Sequence, residues 1–391
     1  MLRYALPVLA AIGAAQAQCS AAATLTVQNA PDASALASCT TFSGSIAIAT
    51  GTSDLINIPN VRQITGDLVI QNAPNATSIG ADSLEKVGGD FTVNNCQVLS
   101  SLSFPQLVDV GDLSLQALPN LNMLGFTTNI GSAKSLNIQN TRLSTLDGIN
   151  LQKVNSIYVA NNRLLQEISF QVSAIPQNMI LESNGDRLSA SFPNLQTASN
   201  LTFRTCPTVL IPSLRNVTGS LGFYENTFTS IFAPNLTGIG GTLAINTNNQ
   251  LTNVSLPVLR IVNGGFQVQN NSKLTGASFP KLETIAGALD FYGSFDSVTL
   301  PALKDNRGAF NLQSTGDVTK DCATFKAIQG PNNVIKGKYV CQGKVTNPGN
   351  IGSTPTSGQD PTKKSDANAF NPNTAYYSGF AGVLAAMFGL L

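Results

Sequence analysis

Residues 66–79 read GDLVIQNAPNATSI, and residues 25–36 read LTVQNAPDASAL. The shared phrase is a short run of alternating apolar and polar residues closed at a corner. It recurs along most of the chain, as LTVQN (25–29), IAIAT (46–50), LVIQN (68–72), FTVNN (91–95), LSLQA (113–117), LNIQN (136–140) and IYVAN (157–161). It continues as MILES (179–183), LTFRT (201–205), LGFYE (221–225), LAINT (243–247), FQVQN (266–270), LDFYG (289–293) and FNLQS (310–314). A spacing held near 22 residues over this length is the signature of a repeat architecture.

A second phrase lies between the strands: PNVRQITG (59–66), PQLVDVG (105–111), PSLRNVTG (212–219), PNLTGIGG (234–241), PVLRIVNGG (257–265) and PKLETIAG (280–287). Pro interrupts ladder pairing and Gly permits a tight corner into the next strand. One copy cannot bury its apolar side alone, whereas stacked copies can. The pattern therefore predicts a mainly β chain wound as a parallel β-solenoid of about 14 turns, on the order of 65 Å long at the spacing of paired strands. Leu68 and Ile70, Phe91 and Val93, Leu136 and Ile138, and Phe266 and Val268 should point inward. The fifth strand position repeats as Asn29, Asn72, Asn95, Asn140, Asn161 and Asn270. Asn stacked on Asn at a corner can bond neighbouring backbone, so an asparagine ladder is expected there.

Composition narrows the function. Only 11% of the 391 residues are charged and the net charge is +1. No basic block exists beyond Lys363 and Lys364, so the electrostatic footprint for nucleic acid is missing. His and Trp are absent, which removes the commonest general base and metal ligand.

Both ends read as processing signals. Residues 1–17 carry Arg3, an apolar stretch and an Ala15-Gln16-Ala17 cleavage site, the grammar of a secretory signal peptide. Residues 379–391 form an apolar tail too short to span a bilayer as a helix. Upstream stand the small triplet Ser365-Asp366-Ala367 and a polar spacer, which together with the tail make a GPI-attachment signal with Ser365 as the expected anchor. The Gly-, Pro-, Ser- and Thr-rich segment 343–378 reads as a stalk, leaving residues 18–342 as the ectodomain.

The P-x-L-x-x-I-x-G-x-L-x-I-x-N rung resembles the receptor L domain, a relative of leucine-rich repeats, which implies a right-handed β-helical shape. With the signal peptide, stalk and anchor signal, the chain resembles fungal GPI-anchored cell-wall organisation proteins over residues 19–342 and both processed ends. The resemblance implies a role in wall integrity, at the extracellular face of the plasma membrane or in the wall, held to the membrane by the GPI lipid. It carries over no catalytic residues.

Six Cys allow fifteen disulfide connectivities. Cys19 and Cys39 flank the first strand, while Cys322 and Cys341 follow the last, so each pair is placed to close one end of the stack. Cys96 and Cys206 sit at equivalent corners five turns apart, about 24 Å at the strand spacing, too far to bridge. They should be buried and unpaired. N-glycosylation sequons occur at Asn75, Asn200, Asn216, Asn235, Asn253 and Asn270. Four of them, Asn200 to Asn253, fall in consecutive turns, and glycans there are expected to keep one side of the rod wet.

The natural binding surface of a solenoid is its open sheet face. Gln139, Glu182, Arg204, Tyr224, Asn246, Gln269 and Tyr292 stand in one outward position there and form the candidate ligand face. Amides donate and accept and tyrosines offer a flat ring, a mixture suited to wall polysaccharide such as β-glucan, or to wall proteins. The same amides would also serve as plain polar cover between turns. Asp67, Asp90 and Asp112 begin adjacent strands, but no further ligands accompany them, and a solvated edge is expected in place of a metal; no cofactor is implied. The enzyme alternative, a glucan-remodelling β-helix, would need paired carboxylates, for which Glu182, Glu225 and Asp290 are the acids in or beside mid-sheet strands. A receptor-like protein-binding module is the third reading. The expected function is non-catalytic.

Overall fold

A computed structural model describes residues 19–52 and 55–350. The expected signal peptide, the expected anchor Ser365 and the rest of the segment 351–391 lie outside the described residues.

The chain winds as a parallel β-solenoid, and the fourteen strand phrases are its rungs. They pair in sequence from Leu25–Val27 through Ile46–Ile48 and Leu68–Gln71 to Leu289–Gly293 and Phe310–Ser314. Tyr339–Gln342 adds one more parallel strand at the end. Register is strict: Leu243 faces Phe266 and Phe266 faces Leu289, while Ile245, Val268 and Phe291 align on the same side. Because side chains alternate across a strand, every first and third position is apolar and all but the half-buried Leu25 are buried. A slip by one residue would turn this set out to water.

Each coil has three sides. After the rung comes a strand of a second side, such as Ser101–Ser103 or Asn253–Ser255, then the Pro-x-Leu turn, then a strand such as Lys86–Val87 or Thr284–Ile285. The turn leucines Leu107, Leu214, Leu236, Leu259 and Leu282 are buried beside the rung residues. Fully buried Phe rings continue the core from coil to coil, with Phe266 meeting both Phe279 and Phe291 edge to face at 4.8 and 4.9 Å. Full burial of one such side chain stabilises by about 1.5–3 kcal/mol. The corner before the rung must be small: a Cβ on Gly287 would lie 2.6 Å from the Gly264 carbonyl carbon and oxygen.

The asparagine ladder exists, but one residue later than the strand pattern predicts. The fifth-position residues Asn72, Asn95, Asn140, Asn161 and Asn270 have φ between 53 and 58° and are exposed. Asn is favoured there because it tolerates the left-handed region at the corner; one side-chain bond, Asn95 Nδ2 to Asn72 Oδ1 at 2.7 Å, joins two of them. Asn29 instead caps the N-terminus of helix α1 (Ala30–Ser34). With the corner turned, the sixth residue points inward. Asn162, Asn226, Asn248 and Asn271 are buried there. The Asn226 N–H donates to Asn248 Oδ1 at 2.9 Å, and the Asn248 N–H to Asn271 Oδ1 at 2.8 Å. Their Nδ2 groups donate back to rung carbonyls, Asn226 to Phe203, Asn248 to Phe223 and Asn271 to Ile245.

Cys96 and Cys206 occupy this same sixth position, buried and without a disulfide. The Cys206 N–H donates to Asn226 Oδ1 at 2.8 Å. Burial pushes the Cys206 thiol up to about 12 and raises that of Cys96 as well. At the two ends, Cys19 joins Cys39 and Cys322 joins Cys341, each with Cα atoms 5.5 Å apart. Cys322 lies on helix α2 (Thr319–Ala327), whose Phe325 packs on Phe310 of the last repeated rung, 4.9 Å between ring centroids.

Candidate functional site

The expected ligand face is the outer surface of the rung sheet, and strict register gathers its residues. Gln139, Ala160, Glu182, Arg204, Tyr224, Asn246, Gln269, Tyr292 and Gln313 face one another rung by rung. All seven candidate residues therefore lie in one row. The row two residues earlier contributes Tyr158, Gly222, Gln267, Asp290 and Asn311, of which the sequence had singled out only Asp290, as a candidate acid of the enzyme alternative.

Two groupings appear along the row. In the first, Tyr158 Oη donates to Glu182 Oε1 at 2.7 Å. Arg204 reaches Glu225 Oε1 with Nη1 at 2.7 Å and lies 4.0 Å from Glu182 Oε2 through Nε. The Arg204 guanidinium also sits 5.0 Å from the centre of the Tyr224 ring. That ring bends back over Gly222, where a Cβ would stand 2.3 Å from Tyr224 Cε2. Gly222 is thus the residue that lets an aromatic ring lie down on the sheet.

In the second grouping, Gln269 and Asn311 donate to the two oxygens of Asp290 at 2.8 and 2.7 Å, and Tyr292 Oη donates to Gln269 at 3.2 Å. Burial raises the Asp290 carboxyl above its ordinary value, against the two amide donors. Asn246 Nδ2 donates to Gln267 at 3.3 Å, while Asn246 Oδ1 is buried and has no partner among the described residues. Farther up the face Gln139 and Gln116 bond within their own strands, to Asn137 and Ser114. Residues 344–349, expected in the stalk, are bonded to the last rungs: the Val345 N–H to the Ser314 carbonyl, and Asn311 and Gln313 to the Gly349 carbonyl.

Arg204 stands between Glu182 and Glu225, and Asp290 is held by amides three rungs beyond Arg204's neighbour Tyr224. At the acidic edge, the Asp90 N–H donates to Asp67 Oδ1 at 2.9 Å. Burial and the charges of Asp112 and Asp67 raise the Asp90 carboxyl. Among the described residues no group of His, Cys, Asp or Glu is arranged to hold a metal.

The sequon residues Asn75, Asn200, Asn216, Asn235, Asn253 and Asn270 are all exposed. They do not share one side of the rod. Asn200 precedes Leu201 on the rung sheet, Asn216 starts the short strand Asn216–Val217, Asn235 lies in a Pro-x-Leu turn, and Asn253 starts the second-side strand Asn253–Ser255. Consecutive turns place them at different points of the perimeter because their offsets within the repeat differ.

Comparison with known proteins supplies the wider setting. The model of the family Ecm33, GPI-anchored cell wall organization protein, matches residues 1–37. The chain is 40% identical to Protein ecm33 of Aspergillus fumigatus over 91% of this chain and 90% of that one. It is 38% identical to a cell surface GPI-anchored protein of Arthroderma benhamiae over 98% of each. To the cell wall protein ecm33 of Schizosaccharomyces pombe it is 38% identical over 79% of this chain and 73% of the relative. No solved structure matches. A solenoid related over nearly its whole length to such proteins belongs to the Ecm33 family of fungal GPI-anchored cell wall organisation proteins.

Proposed function

We propose that the solenoid is a non-catalytic rod that organises the wall by multivalent contact, binding wall polysaccharide, β-glucan first, along its rung sheet. The observation that carries this reading is the flat Tyr224 ring laid over Gly222 beside Arg204, in register with Asn246, Gln269 and Tyr292. Sugar rings present apolar C–H faces to an aromatic ring and hydroxyls to amides that both donate and accept. Rungs repeat about every 4.8 Å, close to the length of one pyranose unit, so an extended chain meets similar groups along the rod. The GPI lipid on Ser365 would hold the rod at the outer face of the plasma membrane. Wall proteins as ligands, and a glucan-remodelling activity through Glu182, are the rival readings.

Binding and turnover of the full chain on insoluble β-glucan and chitin test this, beside Tyr224→Ala/Tyr292→Ala and Glu182→Gln. Saturable binding without new reducing ends, weakened about tenfold or more in the tyrosine variant, supports the rod. Loss of two stacked aromatics at about 0.5–1.5 kcal/mol each sets that expectation. Absence of binding rules out the sheet-face reading, and turnover abolished in Glu182→Gln replaces it with an enzyme.

A further inference from the structure

The second side of the rod is surfaced by small hydroxyl residues. In six of its strands the third position holds a small hydroxyl residue, Ser103, Ser169, Ser191, Ser255, Ser278 and Thr299, and in Ser78–Gly80 and Met123–Gly125 it holds Gly. Two successive coils break the row: Leu210 and Phe232 stand in it, 48% and 56% exposed. The strand ladder is also interrupted between them, one sheet ending at Thr208–Leu210 and the next beginning at Ser230–Phe232. Met123, 59% exposed, is a further large apolar residue on a strand of this side, but the Phe232 ring is the one with an attachment point for a covering group beside it.

The neighbouring strand holds a means of covering it. Ser230–Phe232 pairs in parallel with Asn253–Ser255, Ser230 opposite Asn253 and Phe232 opposite Ser255. Ile231 and Val254 point inward and are buried, so Phe232 and Asn253 both point out, on the diagonal of the pair. One strand spacing across and two residues along put their Cβ atoms about 8 Å apart. Asn253-Val254-Ser255 is a sequon, and Asn253 is the one sequon Asn that lies in a strand of this side. The side-chain amides of Asn200 and Asn235 already donate, to Asn178 and to the Pro212 carbonyl. That of Asn253 engages no group among the described residues.

We propose that Asn253 carries an N-linked glycan whose first sugar lies over the Phe232 ring, with Leu210 extending the apolar floor. The modification forms one bond from Asn253 Nδ2 to the anomeric carbon of a lipid-diphosphate-linked oligosaccharide donor. The C–O bond to the diphosphate breaks, and the amide gives up one proton. The glycan is favoured over a second copy of the chain as the cover because its attachment point is fixed beside the ring, at a high effective concentration. The rod thus carries an oriented glycan on a side other than the rung sheet.

The test is a double-variant cycle on the full chain made in a glycosylating fungal host, combining Asn253→Gln with Phe232→Ser. Glycopeptide mass spectrometry reads occupancy and thermal unfolding reads coupling. Asn253 should be occupied, and Asn253→Gln should lower the melting midpoint by about 1–2 °C in the parent and leave it unchanged in the Phe232→Ser background. Asn235→Gln, as control, should have the same effect in both backgrounds. An unoccupied Asn253, equal shifts in both backgrounds, or burial of Phe232 by concentration-dependent self-association would each overturn the proposal.

Discussion

Replacing Asn248 by Ala cuts the internal ladder in its later half. Asn248 Oδ1 accepts from both the backbone N–H and Nδ2 of Asn226 at 2.9 Å, and its own Nδ2 donates to the Phe223 carbonyl at 3.1 Å. With the amide gone, the Asn226 N–H is left buried without an acceptor, at a cost of about 1–3 kcal/mol, and the lost bond to Phe223 adds about 0.5–1.5 kcal/mol. Together these come to roughly 1.5–4.5 kcal/mol. Because each coil touches only its neighbours, the loss should be local, and hydrogen exchange should quicken first at Asn226 and the adjacent rungs. Urea unfolding of the full chain, with exchange read residue by residue, measures both quantities. The exposed Asn249→Ala is the control and should cost no more than about 0.5 kcal/mol. If Asn248→Ala costs as little as the control, or leaves exchange at Asn226 unchanged, the ladder is not what ties the coils together at this corner.

Three further outcomes follow from the same geometry. Removing the Cys322–Cys341 bridge as a double Ser variant should cost about 3 kcal/mol for a closed loop of this size, and limited proteolysis should then attack α2 before the central rungs. Cys96 and Cys206 should resist alkylation at pH 8 in the folded chain and react at once in denaturant, since burial raises both thiols; rapid labelling without denaturant would show that the corner opens. Burial also raises the Asp290 carboxyl above 3.8, so the folded state binds this proton more tightly than the unfolded chain does. Its contribution to stability is then largest at low pH and declines as pH rises from 3.8 through the folded value, and a melting series should show Asp290→Asn gaining on the parent across that window and level above it.

The repeat itself was legible because it is local. Alternation within the rung, the turn leucine and the Pro and Gly around it each follow from a few consecutive residues, and their recurrence announces stacking. Cys19 with Cys39 and Cys322 with Cys341 were legible for a related reason, since each pair is close in sequence and lies at one end of the stack. The row of ligand-face residues could be read from the outward strand position. What covers and connects that row could not: Tyr158 on Glu182 and Asp290 between Gln269 and Asn311 join different coils, and Gly222 beneath Tyr224 depends on how the ring folds back along its own strand.

The corner shows the division most clearly. In this chain the sequence alone determined that Asn would stand at the strand end and that the coils would stack with Leu68, Phe91 and Phe266 inside. Between Asn161 and Asn162, or Asn270 and Asn271, it offered no choice of which amide turns inward. Closing the coil in three dimensions made that choice. The fifth residue must take a positive φ for the chain to turn, so its side chain is thrown to solvent and the sixth is buried beneath the coil above. The same closure scattered the sequons around the perimeter and set Phe232 beside Asn253, because sequence offset becomes position on a side only once the coil's three sides exist.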